Sequence, residues 1–199
     1  MGRIDLRKFD DVRHLVHARL LSSEFHDLEK IVKEHIAADV WKTYYLSLPA
    51  PDGFAPWDIT YSLFEEWPGV TIDDLSVAAK KNEEGTQTMM KMSEVLQSYL
   101  DTPPWDDSPA LYVVTTEGSY CGASAVLDAS IQQKLGEAFP DGCYILPSSI
   151  HECLAVSSDI DVHTLAHMVH DINRSEVAEQ DRLSDHVFRL NNGTLAVAV

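Results

Sequence analysis

The sequence predicts an α+β fold: an antiparallel sheet built from hairpins, with helices packed on one face. Three observations carry this. Leu111 to Thr116 is rich in β-branched and aromatic residues and ends at the turn pair Glu117-Gly118, after which Tyr120 to Leu127 reads as the returning strand. Ala129 to Phe139 follows with Ile131, Leu135 and Phe139 on one side, and Pro140-Asp141-Gly142 stops it. Cys143 to Leu146 and Ile150 to Val156 are then two short apolar runs joined by Pro147-Ser148-Ser149, which is turn chemistry.

In a two-residue hairpin at Glu117-Gly118, Ala110, Tyr112, Val114, Cys121, Ala123 and Ala125 would share a face of mostly small residues, on which a helix can lie close. Upstream, Ile4 to Leu21 has the apolar spacing of an amphipathic helix through Phe9, Val12, Val16 and Leu20, and Phe25 to Ile36 reads as a second helix. Val40 to Leu48 is aromatic and strand-like, and Ala55 to Tyr61 alternates as its return. Ser62 to Trp67 is a helical turn. Thr71 caps the next helix with Asp74 at its third position. Thr88 to Leu100 is helical again; its Met89, Met90 and Met92 read as core filling or as an adaptable surface. After Val156, Asp159 to Arg174 is a helix, and Asn191-Asn192-Gly193 turns a last hairpin between Val187–Leu190 and Thr194–Val199. That terminal strand pairs within the sheet or offers an edge for a homodimer.

With 199 residues the chain makes one continuous domain or two small ones. Residues 101–109, with three prolines and three aspartates, are the natural boundary between a helix–hairpin–helix part (1–101) and the unit at 110–199. The N-terminus has no continuous apolar core, so no signal peptide is expected, and no window approaches a membrane span. Three cysteines without a CxxC pair fit reduced, buried thiols in the cytoplasm. No Gly-rich loop joins a strand to a helix, so no nucleotide motif is present and no cofactor is expected.

The formal net charge is −17, from 32 acidic and 15 basic residues. Direct binding to nucleic acid or to an anionic membrane rests on Lys and Arg and is disfavoured. A basic protein partner is favoured. The first twenty residues alone are locally basic: Arg3, Arg7, Lys8, Arg13 and Arg19 against Asp5, Asp10 and Asp11 give about +2. They read as a solvated face against the acidic body or as an anion or RNA contact.

Several stretches resemble a known family. YVVTTEGSYCGAS, CYILPSSIHE and INRSEVAEQDRLSDHVFRLN, with the upstream EEWPGVTIDDLSVAAKKNE and VWKTYYLSL, are similar to an uncharacterised bacterial family, domain of unknown function 5688, found also on mobile elements. The resemblance runs from about Phe9 to Leu190 and implies a short form without the family's N-terminal portion. It implies no activity and transfers no catalytic residue.

The candidate sites follow. Cys121, His151 and Glu152, beside Ser148 and Ser149, are the materials of a nucleophile–histidine–acid arrangement, though no nucleophile elbow or oxyanion loop accompanies them. The plainer reading is a small core thiol and a turn. His163, His167 and His170 fall on one side of a helix, where an i, i+4 pair can hold a metal; three ligands spread along a straight helix cannot all reach one ion, and the plainer reading is a solvated stripe. Asn173, Arg174, Ser175 and Glu176 end that helix, with Asp181 or Asp185 as partners for Arg174. The acidic pairs Glu65-Glu66, Asp73-Asp74, Glu83-Glu84 and Asp106-Asp107 are spread along the chain as caps or as an acidic surface. The expectation is a cytoplasmic, non-enzymatic interaction protein, an inhibitor or decoy acting on a basic or nucleic-acid-binding partner. The alternative is a hydrolase or metal-dependent enzyme using His151 with Glu152 and Cys121.

Overall fold

The computed structural model describes residues 4–51, 53–99, 110–147, 149–191 and 193–199. The expected boundary segment 101–109 and Ser148 lie outside the described residues. The fold is α+β with two antiparallel sheets.

Helix α1 (Phe9–Val12) leads into strand β1 (Val16–Ser22); β2 (Lys33–Ala37), β3 (Val40–Ala50) and β4 (Gly53–Asp58) complete the first sheet. The long β3 is its centre. β1 pairs along one edge, from Val16 opposite Leu46 to Ser22 opposite Val40, and β2 and β4 share the other. The expected helix over Ile4–Leu21 is therefore wrong except at Phe9–Val12 and the 3₁₀ turn Arg13–Leu15, and the expected helix over Phe25–Ile36 is a 3₁₀ turn (Leu28–Lys30) followed by β2. The reason is burial on both sides. Val16 and Ala18 through Leu21 are all buried, so β1 lacks the alternation of a half-exposed strand and its apolar residues fall at helical spacing by coincidence.

Helices α2 (Tyr61–Phe64) and α3 (Ile72–Asn82) cover one face of this sheet. The expected cap of α3 is present. Asp74 N–H donates to Thr71 Oγ1 at 3.2 Å, and Thr71 N–H donates back to the Asp74 carboxylate at 2.8 Å. Leu75 and Ala79 then pack against Val16, Tyr44, Leu46 and Trp67.

The second sheet runs β10-β9-β7-β8-β6-β5. Its strands are β5 (Gln87–Lys91), β6 (Leu111–Thr116), β7 (Cys143–Leu146), β8 (Cys153–Ser157), β9 (Phe188–Asn191) and β10 (Thr194–Val197). Helix α4 (Met92–Tyr99) starts four residues later than expected, because Thr88–Lys91 pairs with β6 as part of β5. Met89 packs on the core and Met90 is exposed. Helix α5 (Ala129–Ala138) buries Ile131 and Leu135, with Phe139 just beyond its end, on the face carrying Val114, Cys153 and Ala155. Helix α6 (Val162–Ser175) buries Leu165 and Val169 against Leu146, Val156 and Val187 on the other face. The core under α5 also takes Leu20, Leu21 and Val40 from the first sheet, so the two sheets meet along a shared apolar seam.

The expected hairpin at Glu117-Gly118 does not form. β6 pairs with β5 and β8, and Gly122–Leu127 is a 3₁₀ helix laid across β6. Ser119 and Cys121 take left-handed conformations (φ 53° and 52°), which end the extended chain. Gly122 passes so close to β6 that a Cβ would lie 2.2 Å from Thr115 Oγ1 and 2.5 Å from Thr116 N. Cys121, Ala123 and Ala125 still reach the core beside Val114, but from this helix and not from a strand.

Candidate functional site

The crossing at Cys121 places the first set of candidate residues. Cys121 N–H donates to His151 Nδ1 at 3.2 Å, so that nitrogen carries no proton and the imidazole proton sits on Nε2, 3.6 Å from Asp181 Oδ1. The backbone of His151 is held as firmly. Its carbonyl accepts from Thr115 Oγ1 at 2.7 Å, and its N–H donates to Ser149 Oγ at 3.0 Å. The structure thus brings Cys121 and His151 together through a backbone N–H, and the carboxylate beside the imidazole is Asp181. Asp181 arrives because Ile150 N–H donates to its carbonyl at 2.8 Å, next to the bridge between Ser149 and Arg182.

The side chains of Arg19 and Tyr120 lie beside the Cys121 thiol and both act to lower its pKa. Burial pushes the thiol up and outweighs the Arg19 charge, which pulls it down. Arg19 is itself buried, ion-paired with Asp58, with its guanidinium 5.3 Å from the Phe25 ring centre and 5.6 Å from that of Tyr45. Burial raises the Asp58 carboxyl against the pull of Arg19. Cys143 is pushed up to about 11 by burial, and Cys153 is pushed up by burial as well.

On the solvent side of Cys121 lies a cleft of about 150 Å³ between the sheets. His17, Tyr45, Phe54, Glu83, Glu117 and Tyr120 line it together with Cys121. The rings of Phe54 and Tyr120 meet edge to face at 5.0 Å, and His17 stacks on Tyr45 at 5.5 Å. Glu83 Oε1 accepts the Ala18 N–H at 2.7 Å and lies 3.4 Å from His17 Nδ1. Asn82 Nδ2 donates to the carbonyls of Arg13 (2.8 Å) and Val16 (2.9 Å). Side chains from the end of α3 thus cover the outer edge of β1, which would otherwise template another strand.

The seam is closed elsewhere by the segment after α6. Asn173 Nδ2 donates to the Ser184 carbonyl at 3.0 Å and to Asp185 Oδ1 at 2.6 Å, and Ser184 Oγ donates to Asp39 Oδ1 at 2.6 Å in the first sheet. Arg174 is exposed beside this latch, and Arg182 Nε donates to the Val177 carbonyl at 3.1 Å. His163, His167 and His170 are exposed on α6, and His170 Nδ1 lies 3.5 Å from Asp171. Among the described residues no group of three or more His, Cys, Asp or Glu side chains is placed to hold a metal. Near the N-terminus, Arg7 and Lys8 share a depression with Asp10, Asp11 and Asp74.

Sequence reasoning missed His17, Arg19, Tyr45, Asp58, Glu83 and Asp181. One signal was present. Read as a strand, VHARLL puts His17 and Arg19 on one face, opposite Tyr45 and Thr43 of β3.

The model of a family of unknown function, DUF5688, matches residues 4–191. The chain belongs to this family. No curated protein and no solved structure matches it. The stretches that carry the resemblance form β6 with the Cys121 crossing, the loop holding His151, and the Asn173–Ser184 latch. Among the described residues no helix is long and apolar enough to cross a membrane.

Proposed function

We propose that this is a cytoplasmic, non-enzymatic interaction protein that binds a basic partner, such as a nucleic-acid-binding protein, as an inhibitor or decoy. One observation carries the reading: the net charge is −17, and among the described residues no carboxylate side chain is buried. That figure already counts the basic side chains, and five of them, Lys8, Arg13, Arg19, Lys30 and Lys42, lie within ion-pair distance of a carboxylate, so few cations stand apart from the acidic excess. Glu65, Glu66, Asp73, Asp74 and Glu84 are all exposed around α2 and α3. A field of this sign speeds encounter with a cationic surface and opposes nucleic acid. The exposed side of β10 is where a second copy would add a strand to make a homodimer.

The hydrolase reading built on His151, Glu152 and Cys121 has one observation in its favour, the contact of Cys121 with a His151 imidazole that has a carboxylate, that of Asp181, beside it. Two others weigh against it. Burial holds the thiol protonated, and His151 engages Nδ1 with a backbone N–H and not with the thiol. The interaction reading is tested by titrating the protein into a fluorescently labelled arginine nonapeptide and a glutamate nonapeptide. Saturable binding of the first and none of the second is expected; equal behaviour of the two would end the reading.

A further inference from the structure

We infer that the cleft between Glu83, Phe54 and Tyr120 receives an arginine side chain from a basic protein partner. The inference rests on the interaction reading above and names the place where it acts. Ligand and cofactor pockets typically enclose roughly 300–1,000 Å³. This cleft, at about 150 Å³, suits a single side chain.

Its walls fit a flat cation. Phe54 and Tyr120 remain 43% and 38% exposed, so their rings are open to a partner. They stand edge to face at the rim, and Tyr45 lies with them. A guanidinium stacks on such rings, and aromatic anchors of this kind dominate protein interfaces.

The charge is of the right sign. Glu83 engages Oε1 with Ala18 and His17, and among the described residues Oε2 has no hydrogen-bond partner. Glu117 adds an exposed carboxylate at the rim. The nearby cation, Arg19, is already held by Asp58.

The protein also contains the arrangement once, internally. Arg19 is held by two rings and one carboxylate, those of Phe25, Tyr45 and Asp58. The cleft offers Phe54, Tyr120 and Glu83 in the same combination, with Tyr45 common to both places.

The test uses the full chain and labelled arginine, lysine and glutamate nonapeptides, read by fluorescence anisotropy. The variants are Phe54→Ala, Phe54→Ala with Tyr120→Ala, and Glu117→Gln. The remote Glu137→Gln controls for net charge. The double variant should weaken arginine-peptide binding by about tenfold or more, and Glu117→Gln should weaken it more than Glu137→Gln does. Phe54 is exposed, so its single variant keeps the test valid if the double variant loses its cooperative melt. Binding by the wild type that survives unchanged in the cleft variants overturns the cleft and leaves the interaction reading standing. No binding by the wild type overturns both. Tighter binding of the lysine peptide overturns the assignment to arginine.

Discussion

The two sheets meet at two places that solve the same problem differently. At one, polar groups are turned inward and bonded across the seam: Ser184 donates to Asp39, and Asn173 donates to the Ser184 carbonyl and to Asp185, while among the described residues its own Oδ1 is buried without a partner. At the other, Phe54 and Tyr120 stay exposed, and among the described residues Glu83 Oε2 has no hydrogen-bond partner. The contrast separates holding from receiving. A buried polar group with partners fixes the sheets relative to one another; aromatic rings and carboxylates left open at the same seam stabilise little and are available to a partner.

Gly122 stands between the two places and offers the sharpest test. Replacing it with Ala sets a Cβ 2.2 Å from Thr115 Oγ1 and 2.7 Å from the His151 carbonyl. Neither neighbour can yield, since Thr115 Oγ1 donates to that carbonyl at 2.7 Å. The expected loss is on the order of 4 kcal/mol or more in urea unfolding, or failure to fold. Near-normal stability would mean that the crossing is loosely packed and that the cleft above it has no fixed floor.

Asn173→Ala comes next. It removes two donated bonds at a buried site and should cost about 2–3 kcal/mol. Phe54→Ala, on the open side, should cost less than about 1 kcal/mol. Equal costs would break the distinction between latch and cleft.

The smallest effect is in alkali. The Cys143 and Cys153 thiols have folded-state values above the ordinary 9.0, so the folded chain keeps protons that the unfolded chain gives up. Their contribution is full below pH 9.0 and is lost as pH rises, for Cys143 through about 11. Melting temperature should fall across that window, and less steeply in Cys143→Ala. An identical slope in the variant would show that other groups set the alkaline limit.

What could be read from the sequence was local. The Thr71–Asp74 cap, the Pro-Asp-Gly stop after α5, the β7 run and the turn before β10 each declare themselves within a few residues. β1 did not, because its partner β3 begins 24 residues after its own first residue and only that pairing makes VHARLLS a strand. The 3₁₀ helix at Gly122–Leu127 was hidden by Gly, Ala and Ser, which alternate like a strand but carry no preference strong enough to make one. The same division holds for the site. Cys121 and His151 were singled out and are in contact, whereas Asp181 in place of Glu152, and the whole wall of His17, Arg19 and Tyr45, depend on pairings far apart in sequence.

The central claim is that this molecule's exterior recognises positive charge. The most direct measurement is the dissociation constant of the labelled arginine peptide for the wild-type chain as salt rises from about 0.03 to 0.3 M, a range over which the screening length shortens several-fold. Saturable binding that weakens steadily with salt is predicted. Absence of binding at the lowest salt, or binding indifferent to salt, would contradict it.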